Sequence, residues 1–356
     1  MPDLACGDQI LDRVAAAALE QRLSEIQGEK TEYAESIRIG QSLEGLNRQA
    51  GVHAAGIVIT GGSAGVVMFP NTAMPATYDA APQTVSSGTS VVESLCSGDL
   101  NNDGLEDFVY ALNGDAAASL KVGLQLASGS ESRFATSVAL PATGVRNLSR
   151  AVGRNVKMAD MDGDGFLDII AAINGADATG EAGKGALVYL RNTGNGITYE
   201  TTYIDESLAG VGLVQVMDLD GDQRLDIAVL GVNSKKLAVY FNEGGSGAVG
   251  NFTKVVIDEA AESNLCMATG DFNNAGQGDI LAIGKTSIHF YLNYYQRNFQ
   301  KWDMFSVLAT NATGTSTDYH HYACDLYDMD GNGLTDIVYT QGLQNASGAD
   351  SIVIVC

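Results

Sequence analysis

The sequence is poor in charged residues and proline and has no long hydrophobic run. Of its 356 residues 18% are charged and five are Pro, whereas 45% are hydrophobic, which excludes a disordered chain. No apolar run reaches the roughly 18 residues that a membrane-spanning helix needs, so no membrane span is expected. Only 20 Lys and Arg stand against 43 Asp and Glu, a net charge of -23. This sign argues against a nucleic-acid partner, because phosphate binding requires a basic surface.

Motifs of known catalytic chemistry are also missing. The chain has four His and contains no phosphate-binding loop and no zinc-type spacing of cysteines. Acidic residues are abundant, but outside the repeat described below no sequence feature selects a catalytic pair. We therefore expect that the protein is not an enzyme, with a hydrolase or lyase as an alternative.

The five cysteines and the N-terminus bear on the compartment. Cys96, Cys266 and Cys324 lie in apolar stretches typical of strands, so buried free thiols are expected. One or two disulfides remain an alternative if the protein is secreted. The first residues carry no basic start and no apolar core, so no signal peptide is visible.

A nine-residue acidic segment recurs along the chain at steps of 53 to 61 residues. The four good copies are residues 99–107 (DLNNDGLED), 160–168 (DMDGDGFLD), 218–226 (DLDGDQRLD) and 328–336 (DMDGNGLTD), and a degenerate copy is 271–279 (DFNNAGQGD). Each copy is followed by a short β-branched run, a turn and a second run that often closes on Asn, a pattern that predicts hairpins. A sixth unit without the aspartates begins near residue 51.

A period near 57 residues with about four strands per unit is typical of a β-propeller. The predicted fold is therefore mainly β, a propeller of about six, alternatively seven, four-stranded sheets with a short α-helical N-terminal extension. The predicted domains are the helical extension at 1–50 and the propeller at 51–356, with repeats starting near 51, 96, 157, 214, 267 and 324. The last repeat is expected to lack a fourth strand.

The nonapeptides have the chemistry of a hard-cation site. Oxygen ligands at positions 1, 3 and 5 of a tight loop converge, Gly at position 6 permits the turn, and position 9 closes the shell. Six to eight oxygens favour Ca²⁺ over Mg²⁺. A single loop is also compatible with a polar turn that binds no metal, but the repetition favours calcium.

These motifs resemble the FG-GAP or VCBS repeats, the calcium-loop propellers of integrin alpha subunits and bacterial surface proteins. The resemblance implies four good Ca²⁺ sites and a weaker fifth. The implied side-chain ligands are Asp99, Asn101, Asp103 and Asp107; Asp160, Asp162, Asp164 and Asp168; Asp218, Asp220, Asp222 and Asp226; Asp271, Asn273 and Asp279; and Asp328, Asp330, Asn332 and Asp336. The implied carbonyl ligands belong to Leu105, Phe166, Arg224 and Leu334. Two departures weaken the set: Gln223 stands where Gly is expected, and Ala275 removes a ligand from the degenerate copy.

A second resemblance lies near the N-terminus. Residues 43–59 (LEGLNRQAGVHAAGIVI) are similar to a segment of the bacterial DNA polymerase III alpha subunit. The remainder of that polymerase has no counterpart, so a fused remnant or a reused piece is expected rather than polymerase activity. This interpretation competes with the sixth propeller unit for residues 56–60.

The predicted function is binding. We expect an extracellular or cell-surface adhesion propeller that is stabilised by calcium and presents its loops to a protein or glycan. The alternative is a structural subunit that self-assembles into a filament or sheath through its N-terminal segment, which would make the chain its own partner. Trp302, with Tyr294 and Tyr295 nearby, forms either a carbohydrate platform or core packing.

Overall fold

The computed structural model describes the chain from residue 55 onward. It leaves out residues 61–64, 74–76, 79–82, 87–89, 114, 116, 127–133, 142–150, 176–184, 208–209, 232–233, 245–250, 262–263, 274, 285–287, 305–318, 321–323, 328–334, 344–350 and 356. The predicted helical extension, its boundary at residue 50, Cys6, Cys356 and most of the fifth acidic segment lie outside the described residues. Side chains are described from residue 90 onward, with some strand ends left out.

The described residues form 24 strands and no helix, grouped into six antiparallel sheets. Sheet 1 contains β1 (Ala55–Thr60), β2 (Gly65–Ala73), β3 (Thr77–Tyr78) and β4 (Gln83–Ser86). Sheet 2 contains β5 (Val91–Gly98), β6 (Asp107–Asn113), β7 (Ala118–Gln125) and β8 (Phe134–Pro141). Sheet 3 contains β9 (Ala151–Ala159), β10 (Asp168–Gly175), β11 (Gly185–Asn192) and β12 (Tyr199–Asp205). Sheet 4 contains β13 (Val211–Met217), β14 (Asp226–Gly231), β15 (Lys236–Asn242) and β16 (Phe252–Asp258). Sheet 5 contains β17 (Asn264–Gly270), β18 (Asp279–Gly284), β19 (Ile288–Asn293) and β20 (Phe299–Met304). Sheet 6 contains β21 (Tyr319–His320), β22 (Cys324–Tyr327), β23 (Asp336–Leu343) and β24 (Ser351–Val355).

Sheets 2 to 5 are meanders in which each strand pairs with the next along the chain. The two terminal sheets differ, because two short strands share one edge of a longer strand. In sheet 6, Tyr319 pairs with Leu343 and Cys324 with Tyr339, so β21 and β22 follow one another along β23. In sheet 1, β1 pairs with β2 in the way that β14 pairs with β15, as the sixth predicted unit requires.

The second strands of the middle sheets are buried on both faces. Every residue of β10 and of β14 is buried. Alternate residues of β10 enter two different hydrophobic clusters: Ile169 packs with sheet 2, and Ile170 packs with sheet 4. Each middle sheet is therefore sandwiched between its neighbours, which explains why these strands are continuous hydrophobic runs rather than alternating patterns.

The first strands of sheets 2 to 5, and β22 of sheet 6, lie side by side. Strand β9 lies next to β5 and β13, and β17 lies next to β13 and β22. Sheets that pack face to face and meet along their first strands form a β-propeller. The predicted fold class is confirmed, with six sheets in the part of the chain that the structure describes. In that part, no helix is long and apolar enough to cross a membrane.

Candidate metal centres

The acidic segments connect the first and second strands of successive sheets. We name them loop 1 (99–107), loop 2 (160–168), loop 3 (218–226), loop 4 (271–279) and loop 5 (328–336). Loops 1 to 4 join β5 to β6, β9 to β10, β13 to β14 and β17 to β18. Because they occupy the same place in each sheet, they lie at one end of the propeller. Of loop 5, only Thr335 and Asp336 are described.

The position-1 aspartate organises each described loop. In loop 2, Asp160 accepts backbone N–H groups from Gly163 at 2.8 Å, Asp164 at 3.1 Å and Gly165 at 2.9 Å. Asp99 and Asp218 accept equivalent bonds from positions 4 to 6 of their loops. These bonds wrap the backbone around the carboxylate, so the loop geometry is encoded within nine residues.

Positions 3 and 5 are fixed by the backbone of the residue two places on. In loop 2, Asp162 Oδ1 accepts from Asp164 N at 3.2 Å, and Asp164 Oδ1 accepts from Phe166 N at 3.0 Å. Asp222 Oδ1 accepts likewise from Arg224 N at 2.9 Å. Each of these carboxylates keeps its second oxygen, Oδ2, for another partner. That the position-7 carbonyls coordinate a metal remains a prediction.

The position-9 aspartates are fully buried and fasten each loop to its sheet. Asp168 accepts from Asn192 N at 2.7 Å through Oδ1, and from Met161 N at 3.1 Å and Tyr189 Oη at 2.9 Å through Oδ2. Asp107, Asp226 and Asp279 make the corresponding pair of backbone bonds. Position 9 is thus an anchor in addition to its predicted role as a ligand.

Burial changes the ionisation of these anchors. It raises the pKa of Asp107 and Asp168 to about 6 and that of Asp226 to about 7, against the opposing effect of the backbone hydrogen bonds. Because these values lie above the unfolded value near 4, the metal-free protein loses stability as the pH rises from about 4 to about 7. A bound cation favours the charged carboxylate and opposes this loss.

The donor sets of loops 2 and 3 fit calcium. One oxygen from each of Asp160, Asp162 and Asp168 lies within 4.8 Å of the others, and Asp218, Asp220 and Asp222 are grouped in the same way. All these donors are oxygens, and the charge around each group is concentrated, as Ca²⁺ prefers. Loop 1 has the same backbone bonds, with an amide at Asn101 in place of one carboxylate.

The two weak points predicted in the repeats have different outcomes. Gln223 adopts a φ of 69°, close to the values of 82° and 89° at Gly104 and Gly165, so the loop keeps its shape. Holding a residue other than glycine there costs about 1 kcal/mol. In loop 4, the N–H of Ala275 still donates to Asp271 and Asn273, but Ala275 supplies no oxygen. The turn therefore survives the loss of the ligand.

Asparagines at the ends of the third strands join consecutive loops, a role that the sequence pattern did not reveal. Asn192 Nδ2 donates to the carbonyl of Leu100 in loop 1 at 2.7 Å and to that of Leu167 in loop 2 at 3.0 Å. Asn242 bridges Met161 and Leu225 in the same way, and Asn293 donates to the carbonyl of Leu219. The closing Asn of the strands was visible in the sequence, but its partner lies in the preceding sheet.

Three arginines contact ligand carboxylates. Arg191 contacts Asp162 and Asp164 in loop 2, Arg297 contacts Asp220 in loop 3, and Arg224 contacts Asp222 within loop 3. Of the three, only Arg224 was expected at a site from the sequence, and only through its carbonyl.

The remaining candidates lie outside the acidic loops. Cys96 and Cys266 are free thiols; Cys266 is buried as expected, whereas Cys96 and Cys324 are only half-buried, contrary to the expectation. Trp302 and Tyr295 have exposed fractions of 51% and 66%, and Tyr294 is similarly exposed, so these aromatic side chains are not core residues.

Comparisons with known proteins agree with both sequence resemblances. No curated protein sequence matches the chain. Residues 6–77 match the family described as the bacterial DNA polymerase III alpha NTPase domain. This match includes all of β1 and β2, which are paired strands of sheet 1, and the first residue of β3.

Solved structures with a similar fold include a lectin and two enzymes. An Agrocybe aegerita lectin that recognises non-reducing terminal N-acetylglucosamine is 19% identical, with a TM-score of 0.53 over 84% of this chain and 77% of the lectin. The periplasmic gluconolactonase of Pseudomonas aeruginosa is 12% identical, with a TM-score of 0.47 over 83% and 81%. The Trypanosoma rangeli sialidase is 12% identical, with a TM-score of 0.45 over 86% and 52%. The likeness to the lectin concerns the fold alone.

The repeats themselves match a family. The FG-GAP-like repeat matches at residues 99–171, 160–229 and 218–282, and each match begins at one loop and extends beyond the next. Together the three matches cover just over half of the chain. The chain belongs to the FG-GAP-like repeat family.

Proposed function

We propose that the protein is a calcium-stabilised propeller that acts outside the cell or at its surface as a binding module for a protein or glycan. The observation that carries the proposal is the shared geometry of loops 1 to 3. The same backbone bonds wrap each loop around its position-1 aspartate, and three carboxylates converge in each of loops 2 and 3. Asparagine bonds join loop 1 to loop 2 and loop 2 to loop 3. Calcium in these loops would tie neighbouring sheets together at one end of the propeller.

The location follows from the affinity expected of such loops. Exposed loop sites of this kind bind Ca²⁺ with dissociation constants of about 10⁻⁴ to 10⁻³ M, which suits extracellular modules. Several carboxylates crowd each loop, and their mutual repulsion without a cation favours a calcium-rich environment.

A binding role is favoured over catalysis by the partners of two half-buried acids outside the loops, Asp205 and Asp258. Asp205 accepts hydrogen bonds from Tyr240 and Lys254, and Asp258 accepts them from Tyr291 and Lys301. In both cases the partners come from the next sheet, so these carboxylates hold sheets together. Their chemistry is that of structural ion pairs.

Chelation of calcium is expected to lower the stability of the protein. At millimolar calcium, each filled loop contributes about 1 kcal/mol by mass action, so three loops contribute about 3 kcal/mol. Thermal melts at neutral pH in excess EDTA and in millimolar CaCl₂ measure the difference. MgCl₂ is the control, because Mg²⁺ retains its water more strongly. Identical melting temperatures in EDTA and CaCl₂ would refute the calcium role.

The ligand surface is assigned to the β19–β20 hairpin. In the described part of the chain, the exposed aromatic side chains Tyr294, Tyr295 and Trp302 all belong to this hairpin. Exposed Tyr and Trp present an apolar ring together with a polar group, which suits contact with sugar rings or protein surfaces.

Trp302→Ala is expected to weaken ligand binding at least tenfold, as the loss of an aromatic anchor does. The first probe is a glycan array that contains N-acetylglucosamine-terminated glycans, screened with calcium present and followed by titration of the glycans bound. Ile197→Ala is the matched control, because Ile197 is 52% exposed in the equivalent turn of sheet 3. Equal affinity of the Trp302 variant and the wild type would exclude the hairpin as the ligand surface.

A further inference from the structure

Loop 2 carries its own counter-ion. Arg191, at the end of β11, directs Nη2 to Asp164 Oδ2 at 2.8 Å and Nε to Asp162 Oδ2. The Oδ1 atoms of both carboxylates are already held by backbone N–H groups. The guanidinium therefore contacts the two oxygens that the loop geometry leaves for a metal ion.

Loop 3 has a similar arrangement, but Arg224 of the loop itself contacts Asp222, and the charge at Asp220 is supplied by the next sheet. Arg297, in the β19–β20 turn, donates from Nε to Asp220 Oδ2 at 2.7 Å, while Asp220 Oδ1 accepts from Asp222 N. The side chain of Asp220 is only 7% exposed. Glu243, at 2.5 Å from Nη1, and the ring of Phe241, 4.3 Å from Cζ, hold the guanidinium in place. The guanidinium of Arg297 is thus held in contact with the nearly buried side chain of Asp220, a predicted ligand.

Loop 1 shows the contrast. It has three ligand carboxylates instead of four, because Asn101 occupies position 3. Within the described residues, no Lys or Arg contacts Asp99 or Asp103. Asp103 Oδ2 accepts instead from the neutral amide of Asn101 at 3.1 Å. Arginine therefore accompanies the two loops that have the larger number of carboxylates.

We propose that Arg191 and Arg297 are internal counter-ions, which stabilise loops 2 and 3 in the calcium-free chain and which calcium displaces. A guanidinium and Ca²⁺ compete for the same Oδ2 atoms, and two cations at one carboxylate repel each other. The arginines thereby let the four-carboxylate loops form before calcium is present, and they weaken the affinity of these loops for calcium. This inference rests on the proposed calcium role.

The test is Arg191→Gln in the full chain, measured by calcium calorimetry and by thermal melts in EDTA and in CaCl₂. We expect one site to bind calcium three- to tenfold more tightly than in the wild type. The melting temperature should fall in EDTA and recover in CaCl₂, so the calcium-induced shift widens. Arg191→Lys keeps the positive charge but not the planar guanidinium that contacts both carboxylates. This variant should give a calcium affinity between those of the wild type and Arg191→Gln. Adding Asp160→Asn to Arg191→Gln should abolish the tightened site, which assigns it to loop 2.

The matched control is Lys236→Gln. Lys236 forms a surface ion pair with Glu259 at 2.6 Å, away from the loops, so this variant removes one positive charge without touching a ligand. The same gain of affinity in Lys236→Gln and Arg191→Gln would overturn the inference, since net charge alone would explain it. Equal melting losses of Arg191→Gln in EDTA and CaCl₂, with unchanged affinity, would also overturn it. A wild-type protein that binds no calcium would instead refute the proposed function on which the inference depends.

Discussion

Replacement of Asp168 by Ala is expected to destabilise the protein by about 3 to 5 kcal/mol even when no calcium is present. The variant leaves three donors without their acceptor: Met161 N, Asn192 N and Tyr189 Oη. All three donors bond to the buried carboxylate of Asp168. Each buried donor that loses its acceptor costs about 1 to 3 kcal/mol of stability. Urea denaturation in EDTA measures the loss, and a second series in CaCl₂ adds the contribution of the bound ion.

The comparison variant is Asp164→Asn, at position 5 of the same loop. Asp164 is exposed, and its carboxylate holds only Phe166 N and the side chain of Arg191. In EDTA this variant should change stability by less than about 0.5 kcal/mol, as surface substitutions do. In CaCl₂ it should lose the stabilisation that loop 2 gains from calcium. If Asp168→Ala also lost stability only in CaCl₂, the anchoring role of position 9 would be wrong.

The two roles of position 9 show what the sequence could predict about the site. Positions 1, 3, 5 and 9 lie within one nonapeptide, and the bonds around Asp160 connect residues no more than five apart. Such local geometry follows from residue type and spacing, and it persists even with Ala275 and Gln223 in place of the expected residues. The anchoring by Asp168 is less local, because it requires the paired third strand that brings Asn192 to the loop.

Contacts between sheets could not be predicted from the sequence. Asn192 and Leu100 are 92 positions apart, and Arg297 and Asp220 are 77 positions apart. Their contact depends on how one sheet stacks on the next, and no local pattern specifies that stacking. The propeller itself could be predicted because its repeat is a property of the whole sequence, whereas the partners of a given Arg or Asn are not.

The strands could be predicted less directly than the loops but better than the contacts between sheets. Runs such as 169–173 and 227–230 predicted strands through their β-branched residues and the loops before them. Hydrophobic periodicity gave no help, because β10 and β14 are buried on both faces and lack alternation. The position of each run directly after an acidic loop identified it as the second strand of a sheet.

A repeated latch joins the outer parts of neighbouring sheets. Asp205, at the end of β12, accepts a hydrogen bond from Tyr240 Oη at 2.5 Å and forms an ion pair with Lys254 at 2.6 Å, both in sheet 4. Asp258, at the end of β16, repeats the arrangement with Tyr291 and Lys301 of sheet 5. The side chain of Asp205 is only 9% exposed. These latches therefore hold the sheet interfaces outside the loops and do not involve calcium.

Asp205→Ala is expected to lower the free energy of unfolding by about 3 kcal/mol in EDTA and in CaCl₂ alike. The variant leaves the buried Tyr240 Oη without its acceptor and Lys254 without its ion-pair partner. In a urea denaturation series, Tyr240→Phe should cost about 1 kcal/mol. The double variant should cost less than the sum, since Phe removes the donor that Ala leaves unpaired. Additive losses would show that Asp205 and Tyr240 do not act together.

The same carboxylate gives a pH signature that differs in sign from that of the loop anchors. Burial alone would raise the pKa of Asp205, but hydrogen bonds from Lys254, Ser207 and Tyr240 outweigh it and lower the pKa to about 2. Since an unfolded Asp titrates near 4, the latch contributes fully above about pH 4 and loses its contribution as the pH falls towards 2. Asp205→Asn should therefore reduce the difference in unfolding free energy between pH 5 and pH 2.5 by about 1 to 2 kcal/mol relative to the wild type.

Asp168→Asn should instead weaken the loss of stability that the metal-free protein suffers between about pH 4 and pH 6. If both variants shifted the pH dependence of the unfolding free energy in the same direction, the opposite pKa shifts of Asp205 and Asp168 would be contradicted.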